Sequence, residues 1–297
     1  MKIFDCFMYF DEDMILDLRL NILDKYVDYF VIVESKYTHS GKKKNLNFDI
    51  NKFNNYKNKI IYKVFENSPK EIVEIKETDS ETVKEKNKIM NAVYRELYQR
   101  NYLKEGILEA DDNDFILISD IDEIPNLENL EFQNLNAKII MFKQDMFYYK
   151  FNLKLPGKDW IGSRGCKKKH LESPQWLRDI KVKKYNFYRI DAWFSKNKYM
   201  NINIINNGGW HFTNVKTPED IEYKFKSYLH HNEFDKENLT VSDIKKMIDS
   251  KKSIYDLTLD KRLNKIGGGK DLIKVSYDGL PDYIINNFNK YKEWIEI

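Results

Sequence analysis

The sequence predicts an α/β fold in which a mostly parallel central sheet is flanked by helices, with a small antiparallel portion in the middle of the chain. Three observations lead there. Residues 2–34 read as strand, helix and strand, the opening of a doubly wound sheet. Residues 114–119 form a short apolar run rich in branched side chains, the signature of a strand buried on both faces. At 297 residues, the chain is long enough for one large domain with a substantial core.

Taken in order, residues 2–8 are a first strand and 9–13 a loop. Over residues 14–26 the apolar positions Ile15, Leu16, Leu18, Ile22 and Leu23 recur with helical spacing. Residues 27–34 form a second strand whose centre, Phe30 to Val33, is continuously apolar. A loop with the basic run Lys42, Lys43 and Lys44 follows, and residues 59–65 are a third strand. After a polar excursion, residues 82–105 read as one long helix closed by Gly106. The central strand 114–119 is next.

Beyond it, residues 137–142 and 145–153 read as two strands separated by a turn. Residues 154–165 look broken by Pro156, Gly157, Gly162 and Gly165. Ser173 and Pro174 open a short helix, and residues 185–193 alternate like a hairpin strand. Thr217, Pro218, Glu219 and Asp220 start a helix running to about residue 231, with Thr as cap, Pro in the first turn and acids against the dipole. Residues 242–250 are another helix, and a terminal helix contains Trp294. The division expected is a single domain, 1–297, with a first half 1–125, a second portion 126–240 and a C-terminal helical extension 241–297.

Function concentrates where the central strand ends. After Ile118 and Ser119 come Asp120, Asp122 and Glu123, then Pro125. In open α/β sheets, ligands bind beyond the carboxyl ends of the strands, so these acids face a crevice. Two residues apart in extended chain, Asp120 and Asp122 point to one side. Converging carboxylates repel unless a cation neutralises them, and hard oxygen ligands suit Mg²⁺ or Mn²⁺ with phosphate oxygens completing the shell. The alternative is a set of acids complementing the N-terminus of a helix over residues 126–130, which needs no metal. A second informative stretch is Asn206-Asn207-Gly208-Gly209-Trp210-His211. Its paired glycines permit close backbone approach to a ligand, and the histidine two positions on is placed to reach the same metal or phosphate.

Composition excludes some classes. Lys plus Arg number 50 against 47 Asp plus Glu, and a net charge of +3 makes no case for nucleic acid. The two cysteines, Cys6 and Cys166, form neither a disulfide framework nor a zinc site. No stretch is long and apolar enough to span a bilayer and no leader is apparent, so a soluble, cytoplasmic protein is expected.

These segments together resemble glycosyltransferase family 17, the β-1,4-mannosyl-glycoprotein 4-β-N-acetylglucosaminyltransferases that add bisecting GlcNAc, and their bacterial and viral relatives. The resemblance rests on residues 17–21 with 28–35, on Arg95-Glu96-Leu97-Tyr98-Gln99-Arg100-Asn101, on Ser119-Asp120-Ile121-Asp122-Glu123-Ile124-Pro125, and on Gly209-Trp210-His211 followed by Thr217-Pro218-Glu219. It implies a GT-A-like fold, a nucleotide-sugar donor (UDP-GlcNAc in characterised members), Mn²⁺ or Mg²⁺, a glycan acceptor and inversion at the anomeric carbon. Metal ligands would be Asp122, Asp120 and His211. Donor contacts would come from Asp120, from Arg95 or Arg100 as a diphosphate clamp, from Glu12 and Glu34 after the first two strands, and from Trp210 or Trp160 stacking on sugar. Inversion needs a base for the acceptor hydroxyl, for which Glu219 and Glu233 are the candidates. Competing readings are a metal-dependent phosphohydrolase or nucleotidyltransferase and a non-enzymatic carbohydrate-binding protein. Animal members carry a membrane anchor that is not expected here, so the resemblance implies a protein of a bacterial or virus-infected cell and leaves the acceptor open.

Overall fold

The computed structural model describes residues 1–128, 130–132, 137–182, 195–199, 201–228, 239–255 and 269–297. It is a mixed α/β structure with a curled, mostly parallel sheet flanked by helices. Strands β1 (Ile3–Tyr9), β2 (Tyr29–Ser35), β3 (Ile60–Phe65) and β4 (Phe115–Asp120) run parallel in the order β3-β2-β1-β4. Helix α1 (Asp13–Leu23) connects β1 to β2, and α2 (Glu81–Asn101) precedes β4. The long helix expected over 82–105 ends at Asn101 and tightens into a 3₁₀ turn, Tyr102–Gly106.

Alternation along the strands builds two cores. Phe7, Phe30, Ile32, Phe115 and Leu117 face α1 and its Leu16, Leu18 and Leu20, whereas Phe4, Cys6, Val31, Val33, Ile116 and Ile118 face Leu103, Ile107 and Leu177 on the other side. Both faces are covered, which is why these segments read as unbroken apolar runs. Asp5 falls on the α1 face between Ile3 and Phe7, fully buried, and a charge there demands a partner.

Past β4 the sheet turns. A short β5 (Glu123–Pro125) follows the acids, and the described residues of 126–130 are not helical, so the acids do not serve as helix-start residues. Strand β6 (Ile139–Tyr148) is continuous where two strands were expected, and β7 (Leu153–Lys167) runs through the stretch that looked broken. The break in pattern survives as an irregularity: Asp145 pairs with Asp159 but Phe147 with Lys154, so residues 155–158, with Pro156 and Gly157, bulge out of register. The turn out of β6 is made by Tyr149, whose φ of 63° is left-handed. Strand β7 is antiparallel to both β4 and β6, giving a larger antiparallel portion than the sequence implied. Strands β8 (Ile202–Ile205) and β9 (Gly209–Thr213) lie parallel to β6, and β5 pairs antiparallel with β9.

Helix α3 (Pro174–Asp179) is capped by Ser173, and α4 (Pro218–Ser227) by Thr217 through Asp220 N at 3.2 Å. Helix α5 (Val241–Asp249) opens with a full capping box, Thr240 and Asp243. The C-terminal portion is described over residues 239–255 and 269–297. Its strand β10 (Ile273–Lys274) joins β7, and a 3₁₀ turn, Tyr277–Gly279, the short α6 (Asp282–Asn286) and α7 (Phe288–Tyr291), and a second 3₁₀ turn, Lys292–Trp294, follow. The strand expected over 185–193 lies outside the described residues. No described helix is long and apolar enough to cross a membrane.

Candidate active site

A cavity of about 230 Å³ opens at the carboxyl ends of β1, β2 and β4, where the parallel strands diverge. Its floor comes from Tyr9, Phe10 and Glu12 after β1, Tyr37, Thr38 and His39 after β2, and Asp120, Ile121 and Asp122 after β4. Arg100 of α2, His211 of β9, and Lys224 and Tyr228 at the end of α4 close it. Strand topology thus gathers residues from most of the chain into one crevice.

Backbone hydrogen bonds bring the Asp122 turn and His211 together. Phe212 N donates to Asp122 O at 2.8 Å, and β5 pairs Glu123 with His211. Gly209 acts in this junction, with φ +120° and a would-be Cβ 2.1 Å from Ile124 O, while Gly208 lets the chain pass close to Ile205 O and Lys143 N, each 2.8 Å from a would-be Cβ. His211 Nε2 stands 3.5 Å from Asp122 Oδ1, and Lys224 Nζ 3.6 Å from Oδ2. Burial alone would raise the Asp122 carboxyl, but His211 and Lys224 outweigh it and hold it well below the usual range. Burial disfavours the His211 imidazolium, yet Asp122 raises its pKa above the ordinary value.

Asp120 is held differently. Its Oδ1 accepts from Arg100 at 3.2 Å and its Oδ2 from Arg178 at 3.1 Å, so a guanidinium occupies each oxygen. Burial pushes its pKa up and the two arginines pull it down further, leaving a firm carboxylate. Behind it lies Glu123, fully buried, which accepts from Arg178 at 2.7 and 3.0 Å, from Trp160 Nε1 at 2.7 Å and from Asp120 N at 2.9 Å.

Arg19 secures the turn from beneath. This fully buried side chain of α1 forms a bidentate pair with Asp5 at 2.6 and 2.7 Å. Its remaining nitrogen donates to the carbonyls of Asp120, Ile121 and Glu123 at 3.2, 3.1 and 2.7 Å. One guanidinium therefore satisfies the buried acid of β1 and fixes the loop that presents Asp120 and Asp122.

Among the sequence candidates, Asp120, Asp122, His211, Arg100 and Glu12 meet in the cavity. Glu12 accepts from the Phe10 and Asp11 amides, both at 3.1 Å, and from the Tyr228 hydroxyl at 3.1 Å. Burial would raise its pKa, but Lys216 and Lys224 bring it below the ordinary value. Other candidates stand elsewhere. Glu34 is fully buried and saturated by Lys44, the amides of Asn47 and Phe48 and the Tyr62 hydroxyl, so it ties down the loop after β2. Arg95 donates to His39 O at 3.1 Å and props the same loop. Trp210 is adjacent to His211 in β9 and so faces the opposite side, where its Nε1 donates to Gly279 O at 2.7 Å. Trp160 packs on His211, ring centroids 4.9 Å apart, and orients it. Glu219 is exposed on the first turn of α4, outside the cavity lining. Glu233 lies outside the described residues.

Sequence reasoning missed Arg19, Arg178, Lys224, His39 and Tyr228. Arg19 carries the one usable signal, a charge on the apolar stripe of α1, which has to find a partner inside.

Comparison with curated proteins gives no match. The family model described as Glycosyltransferase family 17 matches residues 1–295, all but the last two positions. With a match of that extent, the chain belongs to glycosyltransferase family 17 and is a glycosyltransferase.

Proposed function

We propose that the protein is a metal-dependent, inverting glycosyltransferase with a GT-A-like donor half, and that it transfers GlcNAc from UDP-GlcNAc to a glycan hydroxyl. The observation that carries this is the convergence of Asp122, His211, Lys224 and Arg100 in one cavity beyond the ends of the parallel strands. Family membership supplies the transfer chemistry, which displaces the phosphohydrolase and sugar-binding alternatives.

The donor set fits a divalent ion at one place. Two ligands on a single ion, each about 2.1 Å from it, stand roughly 3.0–3.5 Å apart. His211 Nε2 and Asp122 Oδ1 are 3.5 Å apart, wider than a normal hydrogen bond. Among the described residues, no three His, Cys, Asp or Glu groups form a ready-made cage. The remaining ligands would therefore come from the diphosphate and water, as is common for Mg²⁺. Asp122 and His211 hold the ion in this reading. Asp120, with a guanidinium on each oxygen, orients Arg100 and Arg178. When bound, the ion acts as a Lewis acid on the departing diphosphate. Arg100 and Lys224 add positive charge beside the same oxygens, and the Phe10 and Tyr228 rings wall off water.

Manganese electron paramagnetic resonance, with and without UDP, tests the assignment. Wild type should bind Mn²⁺ more tightly with UDP present, and Asp122→Asn and His211→Ala should abolish that gain. Tight UDP binding that ignores Mn²⁺ in all three proteins would refute the metal reading.

A further inference from the structure

A second cleft of about 440 Å³ adjoins the donor cavity, and Glu12 lines both. It lies between the start of α1 and the start of α4, with the Trp294 indole on one side and Met14 and Ile15 giving it an apolar patch. Asp11, Asp13 and Asp220 contribute carboxylates, and Lys216 links Asp11 to the Glu12 side, 3.9 Å from Glu12 Oε1. Trp294 is held in place by its backbone. Phe151 N donates to Trp294 O at 2.8 Å, Ile295 is buried, and the Asn152 side chain bonds Glu296 through both its groups at 2.7 and 2.8 Å. Ordering costs for a ligand are low on a surface already fixed in this way.

We propose that this cleft is the acceptor subsite and that it takes an uncharged or amino sugar, not an acidic one. The proposal rests on the donor occupying the first cavity. An indole beside apolar side chains receives the C–H face of a pyranose, and carboxylates accept from its hydroxyls. Contiguity supplies the reaction geometry: Glu12 lines both clefts, so a sugar in the second lies beside the donor across that one side chain. Charge supplies the selectivity. Four carboxylates face one ammonium in the lining, and Lys52 beside Asp13 and Lys150 over the Trp294 ring, 5.9 Å from its centroid, still leave the acids in excess. A uronate, sialate or sugar phosphate entering the cleft meets like charge, which costs affinity at close range.

Saturation-transfer NMR on the full chain with UDP and Mn²⁺ tests it, using methyl α-mannoside, methyl β-N-acetylglucosaminide and methyl β-glucuronide as probes. At least one neutral glycoside should receive saturation and the glucuronide should not. Trp294→Ala should weaken the neutral glycoside about ten-fold and Trp294→Phe should largely retain it, with UDP affinity unchanged in both. Asp220→Lys, a change at an exposed helix start, should admit the glucuronide. The proposal is overturned if no neutral glycoside binds, if Trp294→Ala binds it as wild type does, or if the glucuronide binds wild type equally well. Loss of UDP binding in wild type would instead strike the donor reading, and is measured separately by calorimetry.

Discussion

Replacing Arg19 with Met should destabilise the protein and disable the cavity together, by separable amounts. The side chain is fully buried with Asp5, so Arg19→Met leaves a carboxylate inside the apolar α1 face without its counter-ion. Breaking a buried pair from one side costs about 3–5 kcal/mol. Of the three carbonyls that lose a donor, Glu123 O keeps the Ser163 hydroxyl at 3.0 Å, whereas those of Asp120 and Ile121 lose bonds of 3.2 and 3.1 Å. Losing these two bonds adds about 1 kcal/mol, so a total near 5 kcal/mol is expected. Domain stabilities are only about 5–15 kcal/mol, which makes this change close to limiting. Asp5→Asn in the same background removes the stranded charge and should return roughly 3 kcal/mol. The carbonyls of Asp120 and Ile121 stay unheld in the double variant, so the proposed UDP and Mn²⁺ binding should not recover with stability. Urea unfolding of the four proteins gives the cycle, and calorimetry with UDP gives the second readout. Arg19→Met costing under about 1 kcal/mol, or a double variant no more stable than the single one, would refute the reasoning.

Two further outcomes follow from local geometry. Gly209→Ala should separate β5 from β9, because the new methyl meets Ile124 O and the backbone turns through φ +120°; loss of Mn²⁺ binding with a fold still intact by circular dichroism is expected, and wild-type metal affinity would contradict it. His39 is buried against Gln99, and burial lowers its pKa below 6.5, so the unfolded chain takes up a proton before the folded one does. Its contribution to stability is therefore present above pH 6.5 and lost as pH falls. The urea midpoint should decline more steeply from about pH 7 to about pH 5 in wild type than in His39→Gln, and equal slopes would show that the histidine titrates freely.

Much of the first half was legible because its strands are buried on both faces. Continuous branched runs such as Phe30 to Val33 and Phe115 to Ile118 have few conformations open to them. The cap of α4 was equally plain, since Thr217 and Pro218 each act locally. Long-range pairing was not legible. Pro156 and Gly157 read as a break, yet β7 absorbs them as a bulge because its partners β6 and β10 pair on either side. Tyr149 carries no turn signal, and only the fold around it makes its left-handed backbone tolerable. At the site, the residue types Asp120, Asp122 and His211 drew attention. Which acid would be free and which held by arginine depends on Arg100 and Arg178, from α2 and α3, and no spacing encodes that.

The cavity walls also set when the enzyme becomes competent during synthesis. Strand β1 must wait for β4, and the Tyr228 hydroxyl meets Glu12 across 216 residues of chain. Ser40 N finds Ser227 O in the same closing step. A ribosome-bound chain that has released only the parallel strands has the floor of the crevice but neither His211 nor Lys224. Donor capture should accordingly appear late and all at once, and truncated products of translation should compete poorly for the sugar donor.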